Sequence, residues 1–124
     1  MKALLLIGVG GFLGANARYL VSVLVAKHVS ASLPWGTLAV NVTGSFVVAG
    51  FLVWTTERVL ADPAYRLLVV VGFCGAYTTF SSYAFETVRL LEQGHVWAAA
   101  GNLVVNNLLS VLAAVAGVAV ARWI

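Results

Sequence analysis

Apolar residues run along this chain in four long blocks, at about 3–26, 37–56, 67–91 and 96–121, parted by short polar stretches. A helix crossing a bilayer takes about 20 mostly apolar residues, so each block is long enough for one crossing. The separators KHVSASLP, ERVLADPAYR and EQGH hold most of the charges. Pro34 and Pro63 both lie in separators, where a missing N–H costs little. Strands are the other way to cross a bilayer, and they need about ten residues each with in–out alternation. LLLIGVGGFLGA and LLSVLAAVAGVAVA do not alternate. The pattern predicts an all-α integral membrane protein, with residues 1–124 as a single four-helix transmembrane domain.

The first block also mimics a secretory leader, with Lys2 ahead of it and Ala15-Asn16-Ala17 as an A-x-A cleavage site. The apolar run resumes at Tyr19 and continues to Ala26, and one lysine is a thin basic flank. A retained span is therefore expected.

Composition agrees with the pattern. The chain is 62% hydrophobic and 9% charged, with a mean hydropathy of +1.02. Soluble domains carry roughly a quarter charged residues, so these charges are too few to cover a soluble globule. One cysteine, Cys74, excludes an intrachain disulfide framework and is expected to pack as a small apolar side chain. Lys2, Arg58, Arg66 and Arg122 fall at one end of a four-span bundle, and Lys27 and Arg89 at the other. That bias favours termini in the cytoplasm, and it is small enough to let the chain insert both ways. No basic cluster points to nucleic acid. His28 and His95 lie in separators away from Cys74, so no enzyme is expected.

In hydrocarbon, polar side chains are costly and informative. The first block holds Gly10 and Gly14, a small-xxx-small pair that lets another helix approach closely. It also holds Arg18, which either forms an electropositive mouth for anions or anchors helices by bonding carbonyls. The second block has Thr37, Asn41 and Ser45 at i, i+4 and i+8, and the fourth has Asn102, Asn106 and Ser110 at the same spacing. That spacing gives one slowly drifting face. Such rows either bond between helices or form a polar track. Every one of these side chains can donate a hydrogen bond and none is acidic, which suits an anion. Neutral donors along a path can replace an anion's water without trapping it.

The third block carries GFCGAYTTFSSYAFE in its middle. Gly72, Gly75 and the β-branched pair Thr78-Thr79 weaken a helix there, which predicts a local break in the third span near its centre. Breaks at that depth survive only where protein or a wet cavity covers them, and they often mark ion sites. Phe80 and Tyr83 follow, three apart on one face. They are either core packing or ring edges, electropositive in character, turned to a pore. Glu86 lies one turn beyond Ser82. It is protonated, paired with Arg18 or Arg89, or at the wet end.

GGFLGANARYL (10–20), GTLAVNVTGSF (36–46), GFCGAYTTFSSYAFETVRLL (72–91) and the Asn/Ser row of the last block together resemble the small bacterial fluoride channels, the Fluc or CrcB family. The resemblance covers all four blocks. It implies an antiparallel, dual-topology homodimer in the bacterial cytoplasmic (inner) membrane, with two fluoride pores at the subunit interface. It implies that Phe80 and Tyr83 are the paired pore aromatics and that Asn41 lies beside them. Thr37 corresponds to a hydroxyl near the vestibule, which Arg18 and Glu86 would border. Ser81 and Ser82 would flank the aromatic pair, and Asn102, Asn106 and Ser110 would form the polar track. A structural sodium ion is implied at the dimer centre, on the carbonyls of Gly75 and Thr78 from both subunits. The chain departs from the family pattern at Tyr83, where a second Phe is usual, at Ala76 for a glycine, and at Ala114 for a hydroxyl.

The function so implied is passive, fluoride-selective export. Two other readings stand beside it. A proton-coupled exporter of the small multidrug type also has four short spans, but it needs a membrane carboxylate, and Glu86 is the one candidate. A non-transporting membrane subunit would use its polar rows as interhelical glue.

Overall fold

The structure is a computed structural model that describes residues 1–29, 32–59 and 62–124. Four apolar helical spans fill it: Lys2–His28, Trp35–Arg58, Pro63–Glu92 and Val96–Trp123. Each encloses one of the blocks read from the sequence and runs to or slightly past it. Burial is inverted relative to a soluble protein. Leu4, Leu5, Phe12, Leu20, Val104 and Val115 are exposed on the outer faces, where lipid is the solvent. Trp97 and Trp123 are 89% and 88% exposed at opposite ends of the last helix, where their amphipathic rings suit the membrane–water boundary.

The first helix packs chiefly on the third span, and the second chiefly on the last. Gly10 and Gly14 explain the first contact. A Cβ on Gly10 would overlap the carbonyl of Leu68, and one on Gly14 the carbonyl of Phe73. Backbone rides directly on backbone there, as the small-xxx-small spacing predicts. Gly14→Val should therefore destabilise the fold by about 1–3 kcal/mol, the usual cost of overpacking. Thermal unfolding in detergent checks this, and an unchanged midpoint would show that the contact is dispensable.

Two stretches are wound as π-helix, Trp54–Arg58 and Leu67–Cys74. At the first, Thr55 and Thr56 hydroxyls donate to the carbonyls of Phe51 and Leu52 at 2.7 and 2.6 Å. Threonines that bond back one turn compete with the backbone and bend helices. Arg122 then clasps Glu57 with two hydrogen bonds of 3.0 Å, fastening the end of the second span to the end of the last helix. Cys74 is 1% exposed and packs as the sequence predicts.

Candidate functional site: a groove of hydrogen-bond donors

Within the third span, helical geometry stops at Tyr77 and resumes at Phe80. Thr78 (φ −81°, ψ 158°) and Thr79 (φ −151°, ψ 113°) are extended. Side chains meet the needs of this backbone. The Cys74 carbonyl accepts from both the N–H and the hydroxyl of Thr78, at 3.0 and 2.9 Å. Asn41 Oδ1 accepts the Thr79 N–H at 2.8 Å, and its Nδ2 donates to the Thr79 carbonyl at 3.2 Å and to Asn106 Oδ1 at 3.1 Å. Thr79 caps the next helix, its Oγ1 accepting the Ser82 N–H at 3.1 Å.

These bonds divert two donors. In a continuous α-helix the Thr79 N–H would reach the carbonyl of Gly75, and the Ser82 N–H that of Thr78. Here they bond Asn41 and the Thr79 side chain instead. Gly75 and Thr78 thus keep their carbonyls without the donors that regular winding would supply.

Beside this segment lies a groove of about 420 Å³ between the second span, the helix Phe80–Glu92 and the last helix. Asn41, Ser45, Thr78, Thr79, Phe80, Tyr83, Asn106, Asn107 and Ser110 line it, and among the described residues no acidic one does. The Phe80 and Tyr83 rings meet edge-on, with centroids 5.4 Å apart and planes at 60°. Tyr83 is 5% exposed, whereas Phe80 is 76% exposed on the rim. Two donors in the groove are buried without a partner among the described residues, Asn106 Nδ2 and Ser110 Oγ. An unmet buried donor costs about 1–3 kcal/mol, so a site that keeps two is arranged to receive an acceptor.

A second concavity of about 370 Å³ opens on the other side of Thr79. Arg18, Ser22, Thr37, Ser82 and Glu86 line it, and Thr79 faces both spaces. Thr37 donates to Glu86 Oε1 at 2.8 Å, while Glu86 Oε2 is buried with no partner among the described residues. Among the described residues no hydrogen bond or ion pair holds Arg18, so Glu86 is paired with Thr37 and not with Arg18 or Arg89.

The sequence-predicted residues therefore divide. Asn41, Phe80, Tyr83, Asn106, Ser110 and Thr78 share the groove, and Thr37, Ser82, Arg18 and Glu86 share the second space. Asn102 lines neither. It is buried, donating to Thr87 Oγ1 at 2.8 Å. Ser81 is exposed, with Thr79 Oγ1 at 3.3 Å. Gly75 is exposed at the helical end before Thr78. The wall shared by Thr79 is not readable as such in the sequence, although threonine is among the residues preferred at a helix N-cap. Asn107, next to Asn106 in the sequence, has no separate role readable there; its Nδ2 donates to the Tyr83 hydroxyl at 2.7 Å.

Fold and site together define a small multi-pass membrane protein with an acid-free groove of donors set between its helices. Comparison with known proteins agrees. The family described as CrcB-like protein, Camphor Resistance (CrcB), matches residues 5–118. A protein of Koribacter versatilis (strain Ellin345) called fluoride-specific ion channel FluC is 54% identical over 117 residues, 94% of this chain and 92% of the relative. One of the same name from Sulfurihydrogenibium sp. (strain YO3AOP1) is 45% identical over 124 residues, the whole of both. Another from Rhizobium meliloti (strain 1021) is 38% identical over 122 residues, 98% of each. This chain belongs to the CrcB-like family. With four helices of crossing length, it is a multi-pass protein of the bacterial inner membrane.

Proposed function

We propose that this chain is a fluoride-selective channel that lets fluoride leave the cell passively, and that it is not an enzyme. The observation that carries this reading is the groove, where two buried, unpartnered donors face a space with no acid on its walls. Moving a small anion out of water into apolar surroundings costs tens of kcal/mol. Neutral amide and hydroxyl donors replace part of that lost hydration. Full basic charges would hold the ion too long for flow. The names of the relatives support fluoride as the ion.

The pore is completed by a second copy. Phe80 is a large ring left mostly bare on the rim of the groove, which one chain does not close. An antiparallel partner would cover it and create two equivalent pores, each with aromatic edges from both subunits. The second space, with Arg18, Thr37, Ser82 and Glu86, is the vestibule. Asn106 and Ser110 are the track, and Asn102 supports it from behind through Thr87. We read the extended pair Thr78-Thr79 as the break of the third span. The carbonyls of Gly75 and Thr78, stripped of their helical donors, fit a structural sodium ion at the subunit contact. Hard cations take oxygen ligands, and the ion would neutralise carbonyl dipoles gathered there.

Purified protein in liposomes tests this reading. Fluoride should run out down its gradient while chloride stays behind. A protein that passes neither ion would be the non-transporting subunit instead. Glu86→Gln separates channel from proton-coupled exporter. Efflux should stay within a few-fold of the parent without any proton gradient, because glutamine still accepts from Thr37. Loss of efflux in that variant, or dependence on a pH gradient, would favour the exporter.

A further inference from the structure

We infer that the hydroxyl of Tyr83, turned by Asn107, is an additional anion donor in the groove, and that Asn107 is its positioning residue. The inference rests on the fluoride-channel reading and adds a specificity-determining pair to it.

Asn107 Nδ2 lies 2.7 Å from the carbonyl of Leu103 and 2.7 Å from Tyr83 Oη. A carbonyl oxygen only accepts, so the atom facing Leu103 must be the amide nitrogen. The orientation of the amide is thereby fixed by chemistry. The same NH₂ group then donates its other hydrogen to Tyr83 Oη. The phenol is the acceptor in that bond, and its own proton is directed elsewhere.

Among the described residues Asn107 is the only hydrogen-bond partner of that hydroxyl. Tyr83 as a whole is 5% exposed. Both residues line the groove that holds the unpartnered Asn106 Nδ2 and Ser110 Oγ. Three neutral donors without acceptors therefore border one space. A bond already donated into a hydroxyl polarises it and strengthens the bond that it gives. Small, hard anions gain most from an O–H donor, because they have the highest charge density to satisfy. The pair thus favours fluoride over chloride beyond what a bare ring edge gives.

The test is a double-mutant cycle in liposomes with the full-length protein: parent, Tyr83→Phe, Asn107→Ala and the double variant. Half-saturating fluoride and the fluoride-to-chloride flux ratio are read for each. Tyr83→Phe should weaken apparent fluoride affinity roughly tenfold and lower the ratio, the scale of one hydrogen bond to a charged group. Asn107→Ala should do the same to a similar degree. The double variant should be no worse than Tyr83→Phe alone, because Asn107 acts through the hydroxyl. Effects that multiply in the double variant would make Asn107 an independent helix contact and overturn the assignment. So would a Tyr83→Phe channel with parental affinity and ratio. Should Asn107→Ala fail to fold by gel filtration, Asn107→Leu takes its place, keeping the side chain's bulk without its amide. A parent protein that carries no fluoride overturns the channel reading, and this inference with it. A conducting parent with an indifferent Tyr83→Phe overturns the inference alone.

Discussion

Phe80→Ile is expected to cut fluoride efflux by about two orders of magnitude while leaving the assembled protein intact. The magnitude is that of removing one preorganised electrostatic contact to an anion in a dry site. Phe80 stands on the rim of the groove, edge-on to Tyr83 with centroids 5.4 Å apart. Phe80 is 76% exposed in the single chain, so its side chain contributes little to that chain's own packing. Isoleucine keeps an apolar side chain of moderate bulk but has no electropositive edge. Stability and oligomeric state, read by thermal unfolding and gel filtration, should therefore stay close to the parent. Efflux at the parental rate would reduce the aromatic pair to packing.

Asn41→Ala is expected to damage both flux and fold. One side chain meets three needs here. It accepts the Thr79 N–H, donates to the Thr79 carbonyl and donates to Asn106 Oδ1. Its removal leaves two backbone groups of the extended segment and one amide without those partners, in part-buried surroundings. Each unmet group costs about 1–3 kcal/mol, so a loss of about 3 kcal/mol or more is expected, together with efflux reduced to background. The two variants are informative as a pair. Phe80→Ile should silence a stable protein, whereas Asn41→Ala should silence a fragile one. Parental unfolding temperature in Asn41→Ala would show that the clamp around Thr79 bears no weight.

The number of spans and their approximate ends were legible in the sequence, because length and apolarity alone set them. The close approach at Gly10 and Gly14 was legible for a similar reason: only small residues at i and i+4 let two backbones touch. The polar rows were legible as rows but not as a single path. Residues at i, i+4 and i+8 drift by about 40° per step on a 3.6-residue helix. Across Thr37, Asn41 and Ser45 that drift is enough to put Thr37 on one side of Thr79 and Ser45 on the other. The same ambiguity hid Asn102, which turns to Thr87 on a neighbouring helix. Asn107 was hidden for another reason. Its partner Tyr83 lies 24 residues away, and only tertiary structure brings the two within 2.7 Å.

The interruption at Thr78-Thr79 has an electrostatic result as well as a geometric one. The 13-residue helix Phe80–Glu92 begins near the middle of a 30-residue span, so its amino end lies deep in the bilayer and not at a surface. Aligned peptide dipoles give such an end roughly half a positive elementary charge. A negative ion passing close to this end gains attraction from the main chain. On the channel reading, the main chain thus adds to the groove's side-chain donors in favouring a negative permeant ion. Point substitutions in the groove should alter how fast halides pass and which halide passes best, while potassium and sodium stay excluded in every variant that folds.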